Sequence, residues 1–204
     1  MQLIGMLDSP YVRRVAISMK LMGLPFEHRS VSVFRHFEEF ARINPLVKAP
    51  TLVCDDGEIL MDSTLILDYL DTLVPAGKRL LPAIGAPRRD ALKRIGIALV
   101  ACEKSVQHYY ESSLRAPEKI ERSWLARVSG QLHAAYDLLE PVAARARPWI
   151  NGSALCQDDV SMAVAWRFTQ FVSPGLVDPA RYPALDRFSA RAEALPAFIA
   201  TPLD

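Results

Sequence analysis

Strand patterning in this chain stops at Met61, and from Arg88 onward every apolar repeat is helical. That change of period constrains the fold more than any other feature, because it separates an α/β part from an all-helical part. Between them Pro75, Gly77, Pro82, Gly85 and Pro87 interrupt any regular element, which marks a linker. The expected division is therefore an α/β domain over 1–76, a linker over 77–87 and an all-helical domain over 88–204.

The α/β part reads as βαβ followed by ββα, a small open sheet with helices. Gln2 to Met6 is a short apolar strand. Ser9 suits a helix N-cap, and Pro10 suits the first helical position, where a missing N–H costs nothing. Val12, Val15, Ala16 and Met19 recur at helical spacing until Gly23 stops the helix. A strand candidate lies within Phe26 to Val33, and a short helix runs from Phe34 to Ile43 before Asn44-Pro45. Thr51 to Cys54, the turn Asp55-Asp56-Gly57 and Glu58 to Met61 form a hairpin. Asp62-Ser63 then opens a helix with Leu65, Ile66, Leu67, Tyr69, Leu70 and Leu73 as its apolar positions.

In the helical part, two long patterns run from Arg88 to Leu114 and from Glu118 to Ala146, with the break at Ala116-Pro117. Shorter ones cover Asp158 to Phe171 and Pro183 to Ala194.

Composition excludes several classes of function. With 24 basic and 23 acidic residues, and no run of Lys and Arg, nucleic acid is not an expected partner. No apolar run approaches the ~20 residues that span a bilayer, so no membrane is expected either. The first strand has neither the length nor the basic start of a signal peptide. Cys54, Cys102 and Cys156 lie far apart and form no zinc or disulfide pattern, which implies no metal site and a reducing, cytoplasmic location.

Three short stretches carry chemistry. Ser9 stands where a strand becomes a helix, so its hydroxyl meets free N–H groups and the positive end of a helix dipole. An anion such as a thiolate would be stabilised there, although most Ser-Pro helix starts are only caps. Pro50 can simply head a strand, where its missing N–H is harmless. A cis Ala49-Pro50 bond would instead turn the Ala49 N–H and C=O outward, free to pair with an extended peptide. Asp62-Ser63-Thr64 opens a helix directly after a strand. Ser63 can cap that helix, and its hydroxyl and free N–H groups can also hold a carboxylate. Asp62 beside it suits an ammonium group, so the pair matches the end of an amino acid.

In order and spacing, Ser-Pro-Tyr-Val-Arg at 9–13, Asn-Pro-Leu-Val-Lys-Ala-Pro at 44–50 and Asp62-Ser63 resemble the cytosolic glutathione transferase family. The resemblance covers the whole chain. Leu155-Cys156-Gln157-Asp158-Asp159-Val160 is similar to the capping box of that family's helical domain, and Tyr182 to Phe198 resembles the ending of bacterial members. It implies a thioredoxin-like glutathione-binding domain followed by a helical-bundle domain, acting in detoxification with glutathione as co-substrate and no tightly bound cofactor. Ser9 takes the catalytic hydroxyl position, donating to the glutathione sulfur and favouring thiolate over thiol.

The same resemblance gives the Ala49 backbone, beside a cis Pro50, to the cysteinyl part of glutathione. Ser63 falls to the γ-glutamyl carboxylate, Asp62 to its ammonium, and Lys48 or His36 to the glycyl carboxylate. A small hydrophobic electrophile is expected between the two domains, lined by Tyr11, His108, Tyr109 and Arg115 with Tyr110, Trp166 and Phe168 as further candidates, though Trp166 suits a core better. Thiol–disulfide exchange or reduction is the weaker alternative, since no cysteine lies near Ser9, and a non-catalytic binding protein is another. A zeta-type isomerase would carry Ser-Ser-Cys where this chain has Asp8-Ser9-Pro10.

Two departures stand out. Asp62 replaces the usual Glu, one methylene shorter, and Cys156 replaces the usual Ser or Thr of the capping box. A thiol is a poorer acceptor, so a weaker cap is expected, by something within ~0.5–2 kcal/mol. Finally, Ile95-Gly96-Ile97-Ala98-Leu99-Val100-Ala101-Cys102 is apolar nearly all round, so a homodimer is expected, covering this helix with help from the helix after Ser63.

Overall fold

Leu3 and Ile4 are adjacent, both fully buried, and point to opposite sides of one strand. Leu3 joins a core with Val12, Val15, Met19, Leu52, Ile66 and Leu70, whereas Ile4 joins Val31 and Phe40. A strand buried on both faces needs cover on both, and the computed structural model, which describes residues 1–203, supplies it.

Strand β1 (Gln2–Ile4) lies inside a four-stranded mixed sheet of order β2-β1-β3-β4, with β2 at Glu27–Arg29, β3 at Thr51–Val53 and β4 at Ile59–Met61. It pairs parallel to β2 (Leu3 with His28) and antiparallel to β3 (Leu3 with Leu52), and β3 pairs antiparallel to β4 (Leu52 with Leu60). Helices α1 (Pro10–Met22) and α3 (Ser63–Thr72) supply the core on the Leu3 side, and α2 (Phe37–Ile43) supplies it on the Ile4 side. This is the thioredoxin-like α/β arrangement.

The chain divides into two units, one of 1–80 with 194–204 and one of 81–193. The sequence division assigned the last residues to the helical domain, but they return to the first unit. Their short helix α8 (Pro196–Ile199) brings the fully buried Phe198 under the Arg13 guanidinium, 5.8 Å from the ring centroid. Arg13, itself 1% exposed, donates Nε–H to the Thr201 carbonyl at 2.8 Å. A buried guanidinium needs acceptors, and the tail provides one.

The second unit holds α4 (Gly85–Tyr109), continued by a π-helical turn over Tyr110–Leu114, then α5 (Arg122–Arg145), α6 (Gln157–Val172) and α7 (Pro183–Glu193). Helix α5 starts four residues later than expected because Pro117–Lys119 forms a separate 3-10 turn, and Glu121 accepts from Ser123 N at 3.0 Å as its cap. Helix α6 is buried on nearly every side. Trp166 donates to Asp186 Oδ1 at 3.1 Å and meets Tyr136 edge-on at 5.1 Å, so it belongs to this core, and Phe168 is buried as well.

At the start of α6 the carboxylate half of the capping box is made. Asp159 accepts from Cys156 N at 2.8 Å and, with its other oxygen, from Ile150 N at 2.9 Å. The Cys156 thiol donates to the Ala154 carbonyl at 3.8 Å. Burial pushes the Asp159 carboxyl up to about 6, against the pull of its two backbone donors. Among the described residues Cys156, Asp158 and Asp159 form a cluster of metal-ligand type, but Asp158 is paired with Arg94 at 2.7 Å and Asp159 is spent on the two amides. No helix among the described residues is long and apolar enough to cross a membrane.

Candidate functional site

Residue 5 decides how closely three segments approach. Gly5 sits at φ +133°, and a Cβ there would lie 2.7 Å from Val12 Cγ2 and 3.1 Å from Ala49 Cβ. Only a hydrogen fits, so the end of β1, the first turn of α1 and the loop before β3 close on one spot. His28 Nε2 lies 2.8 Å from the Gly5 carbonyl, and the Gly5 amide donates to Arg29 O at 3.0 Å, which fixes the turn from the β2 side.

Ser9 stands at this spot as the N-cap of α1, with Pro10 following at the first helical position. Its Oγ accepts from Val12 N at 3.4 Å, a long bond, and its own hydroxyl hydrogen has no partner among the described residues. The first turn of α1 contains no acidic side chain, so nothing within the helix cancels the positive end of its dipole. A half-buried hydroxyl with a free proton, set among helix N–H groups, is built to donate to an anion.

The loop before β3 is held from inside by Asn44, which is 1% exposed. Its amide nitrogen donates to Thr51 Oγ1 at 2.9 Å, and its oxygen accepts from Leu46 N at 3.0 Å. Thr51 passes its own hydrogen to the Lys48 carbonyl at 2.6 Å. Within this frame Val47 adopts φ +48°, a left-handed conformation that a β-branched residue rarely takes. The Ala49–Pro50 bond is cis. The Ala49 N–H and C=O make no hydrogen bond among the described residues, which leaves one extended backbone unit open to a ligand. Lys48 is exposed beside it.

At the head of α3 the cap is Asp62, not Ser63. Asp62 Oδ1 accepts from Thr64 N at 2.7 Å, while Ser63 occupies the first helical position, 1% exposed. Its shorter reach lets Asp62 bond the backbone two residues on. Ser63 Oγ instead accepts from the guanidinium of Arg14 at 3.1 Å, and Thr64 Oγ1 from the same nitrogen at 3.3 Å. Arg14 is 2% exposed and lies on α1, so one buried cation ties the helix of Ser9 to the helix of Ser63. With that lone pair occupied, the single hydroxyl hydrogen of Ser63 is left to donate. Asp62 already places one carboxylate at this helix start, and the Arg14 cation adds positive charge beside it in a first turn with no further acidic residue.

The remaining predicted residues are distributed as follows. His36 is exposed at the start of α2, and its Nδ1 accepts from Ser32 N at 3.2 Å, which leaves Nε2 outward. Tyr11 is half-buried at the second position of α1. His108, Tyr109 and Arg115 lie at the end of α4 and its π-helical turn, in the second unit. Burial lowers the His108 pKa, favouring neutral imidazole, whose Nδ1 is 3.3 Å from Ser173 Oγ. Arg115 is engaged by the buried Glu111 at 2.6 Å, and Glu111 also accepts from Glu121 N at 3.0 Å. The Tyr109 and Tyr110 rings are 6.2 Å apart.

The first unit thus carries a hydroxyl with a hydrogen to donate at the head of α1, an open backbone unit at Ala49 and a second such hydroxyl at the head of α3. Residues 3–78 match the family model described as glutathione S-transferase, N-terminal domain. The first unit is a domain of the glutathione S-transferase family. A glutathione S-transferase of Methylobacterium radiotolerans, solved with glutathione sulfonate, superposes with a TM-score of 0.90 at 28% identity, over 98% of this chain and 93% of that one. A glutathione transferase family member of Pseudomonas fluorescens, solved with bound glutathione, gives 0.87 at 29% identity, over 100% and 98%. A probable maleylacetoacetate isomerase of Vibrio cholerae is 29% identical over 96% of this chain and 92% of its own.

Asn44, Gly5 and Arg14 were not anticipated as site-building residues. In the sequence Asn44 marks a helix stop and opens the 44–50 stretch, and nothing in its neighbours signals that its side chain turns inward. In this protein the replacement Asn44→Ala should lower the free energy of unfolding by about 2–4 kcal/mol, through the lost bonds and the buried Thr51 hydroxyl left behind. The loss should be partly absorbed in a Thr51→Val background, because the two groups share one bond. Denaturant titration of the four proteins checks both points, and a fully additive pair would contradict the shared network.

Proposed function

We propose that the protein joins glutathione to small hydrophobic electrophiles, with Ser9 activating the thiol. The observation that carries this reading is the unspent hydroxyl hydrogen of Ser9 at the N-cap of α1, a helix whose first turn packs with Ala49 around Gly5. The glutathione thiol gives up its proton to solvent, and its sulfur, held by the Ser9 donor, attacks the electrophilic carbon. A carbon–sulfur bond forms and the leaving group departs with its electron pair, or an epoxide ring opens. In this reading the Ala49 backbone pairs with the cysteinyl unit, Ser63 binds the γ-glutamyl carboxylate and the free oxygen of Asp62 faces the ammonium. Lys48 or His36 meets the glycyl carboxylate, and Tyr11, His108, Tyr109 and Arg115 contribute to the second-substrate pocket.

Thiol–disulfide exchange is disfavoured by the same geometry. No cysteine stands at the α1 turn, and burial raises the pKa of the Cys54 thiol. Isomerisation of a glutathione adduct is the second reading, favoured by the similarity to the probable maleylacetoacetate isomerase. It also needs a thiolate, so Ser9 serves both. The three cysteines, none of them in a disulfide, fit a reducing, cytoplasmic setting.

A homodimer follows from two apolar faces. On α3, Leu65, Tyr69 and Leu73 are 64%, 37% and 44% exposed at four-residue spacing. On α4, Leu92 and Val100 flank Gly96 along another exposed stripe. We assign these faces to a twofold partner. Light scattering at micromolar concentration should return twice the mass of the chain, and the mass of a single chain would remove this part of the reading.

Turnover should be measured against aryl halides, epoxides, peroxides, mixed disulfides and a cis-enone diacid. Conjugation of the first two should dominate, and Ser9→Ala should reduce kcat/KM roughly ten- to a hundredfold, as one charge-assisted hydrogen bond is lost. Turnover of the diacid alone would select isomerisation instead. An Ala variant as active as the native protein would take Ser9 out of the chemistry.

A further inference from the structure

The second unit contains a cavity of about 560 Å³ between the last turn of α5 and one face of α7. Its floor is apolar, with Ala143, Ala146 and Ala184 buried. Its walls carry Arg147, Arg187 and Arg191, and none of the eight lining residues is acidic. Ala184, Arg187 and Arg191 recur at the three- and four-residue spacing that puts side chains on one helix face.

The three guanidinium groups are not equivalent. Arg191 is held in place, donating to the Pro148 carbonyl at 3.0 Å with its plane near the Trp149 and Phe188 rings, at 5.6 and 5.8 Å from their centroids. Arg147 donates to the Ala144 and Ala146 carbonyls at 3.0 and 2.7 Å. Each of these uses one nitrogen, and a guanidinium has five N–H donors, so both keep donors for a ligand. Arg187 is exposed and makes no hydrogen bond or ion pair among the described residues. Two carboxylates of the adjoining helices are spent on other donors. Glu140 accepts from the Ala184 and Leu185 amides at 2.8 and 2.9 Å, and Asp186 accepts from Trp166.

Three positive charges around a concave apolar floor, with no carboxylate in the wall, make a site of positive potential. Its size falls within the range of small-molecule sites, ~300–1,000 Å³. Planar donors in a fixed fork suit phosphate oxygens in pairs. We propose that this cavity binds a small organic phosphate monoester, the phosphate held by Arg147, Arg187 and Arg191 and the organic part resting on the alanine floor. The site lies wholly within the helical unit, and its occupant is a ligand, not a reactant, of the transferase.

Calorimetry with phenyl phosphate tests this on the full chain, with glutathione present at saturation so that an anion seat at α1 and α3 is filled. One saturable event per chain is expected below ~10 mM, weakened roughly tenfold or more by Arg187→Glu. Arg187 packs against nothing that folding requires, so the variant should retain the native melting temperature and conjugation rate. Inorganic phosphate should bind distinctly more weakly than phenyl phosphate, because it leaves the floor uncovered. The proposal is overturned by the absence of saturable binding, by binding that Arg187→Glu does not alter, or by equal affinity for inorganic phosphate. None of these results depends on whether Ser9 activates a thiol.

Discussion

The close approach at Gly5 governs the rest of the first unit. Because residue 5 has no side chain, Val12 and Ala49 can both reach the end of β1. Val12 supplies the amide that caps onto Ser9, and Ala49 supplies the open backbone unit. A methyl group at that position would push the first turn of α1, which Ser9 caps, and the Ala49 loop apart. Distance here is set by van der Waals contact, and the polar groups exploit it.

Around this contact, two buried polar side chains hold the site's parts in register. Asn44 fixes the loop, and Arg14 joins α1 to α3 through Ser63 and Thr64. A third, Arg13, draws the carboxy-terminal segment back to α1 through Thr201 and Phe198. Buried polar groups of this kind fix one geometry because any alternative leaves a desolvated donor without an acceptor.

Much of this was legible in the residues. The Ser9 cap, Pro10, Gly23 and the Asp55-Asp56-Gly57 turn are local signals, and each element they bound lies close to where it was expected. The switch from mixed to purely helical patterning gave the two parts. What could not be read was long-range. Arg13 and Arg14 look like the solvated side of an amphipathic helix, but α1 is covered on almost every side, and their partners are 188 and 49 residues away in the chain. Asp62 takes the capping duty expected of Ser63 because the shorter carboxylate reaches the Thr64 amide, leaving Ser63 to Arg14. Cys156 looked like a weak cap, and the sequence did not show that Asp159 would also collect the Ile150 amide.

If the unspent hydroxyl of Ser9 stabilises a thiolate, the bound thiol must ionise more readily than a free one, whose pKa is about 8.5. The decisive measurement is the ultraviolet absorbance of thiolate in the glutathione complex as pH is raised, for the native protein and Ser9→Ala. The native complex should titrate below the free thiol, and the Ala complex about one to two pH units higher than the native, the equivalent of one charge-assisted hydrogen bond. Coincident titration curves for the two complexes would contradict the account.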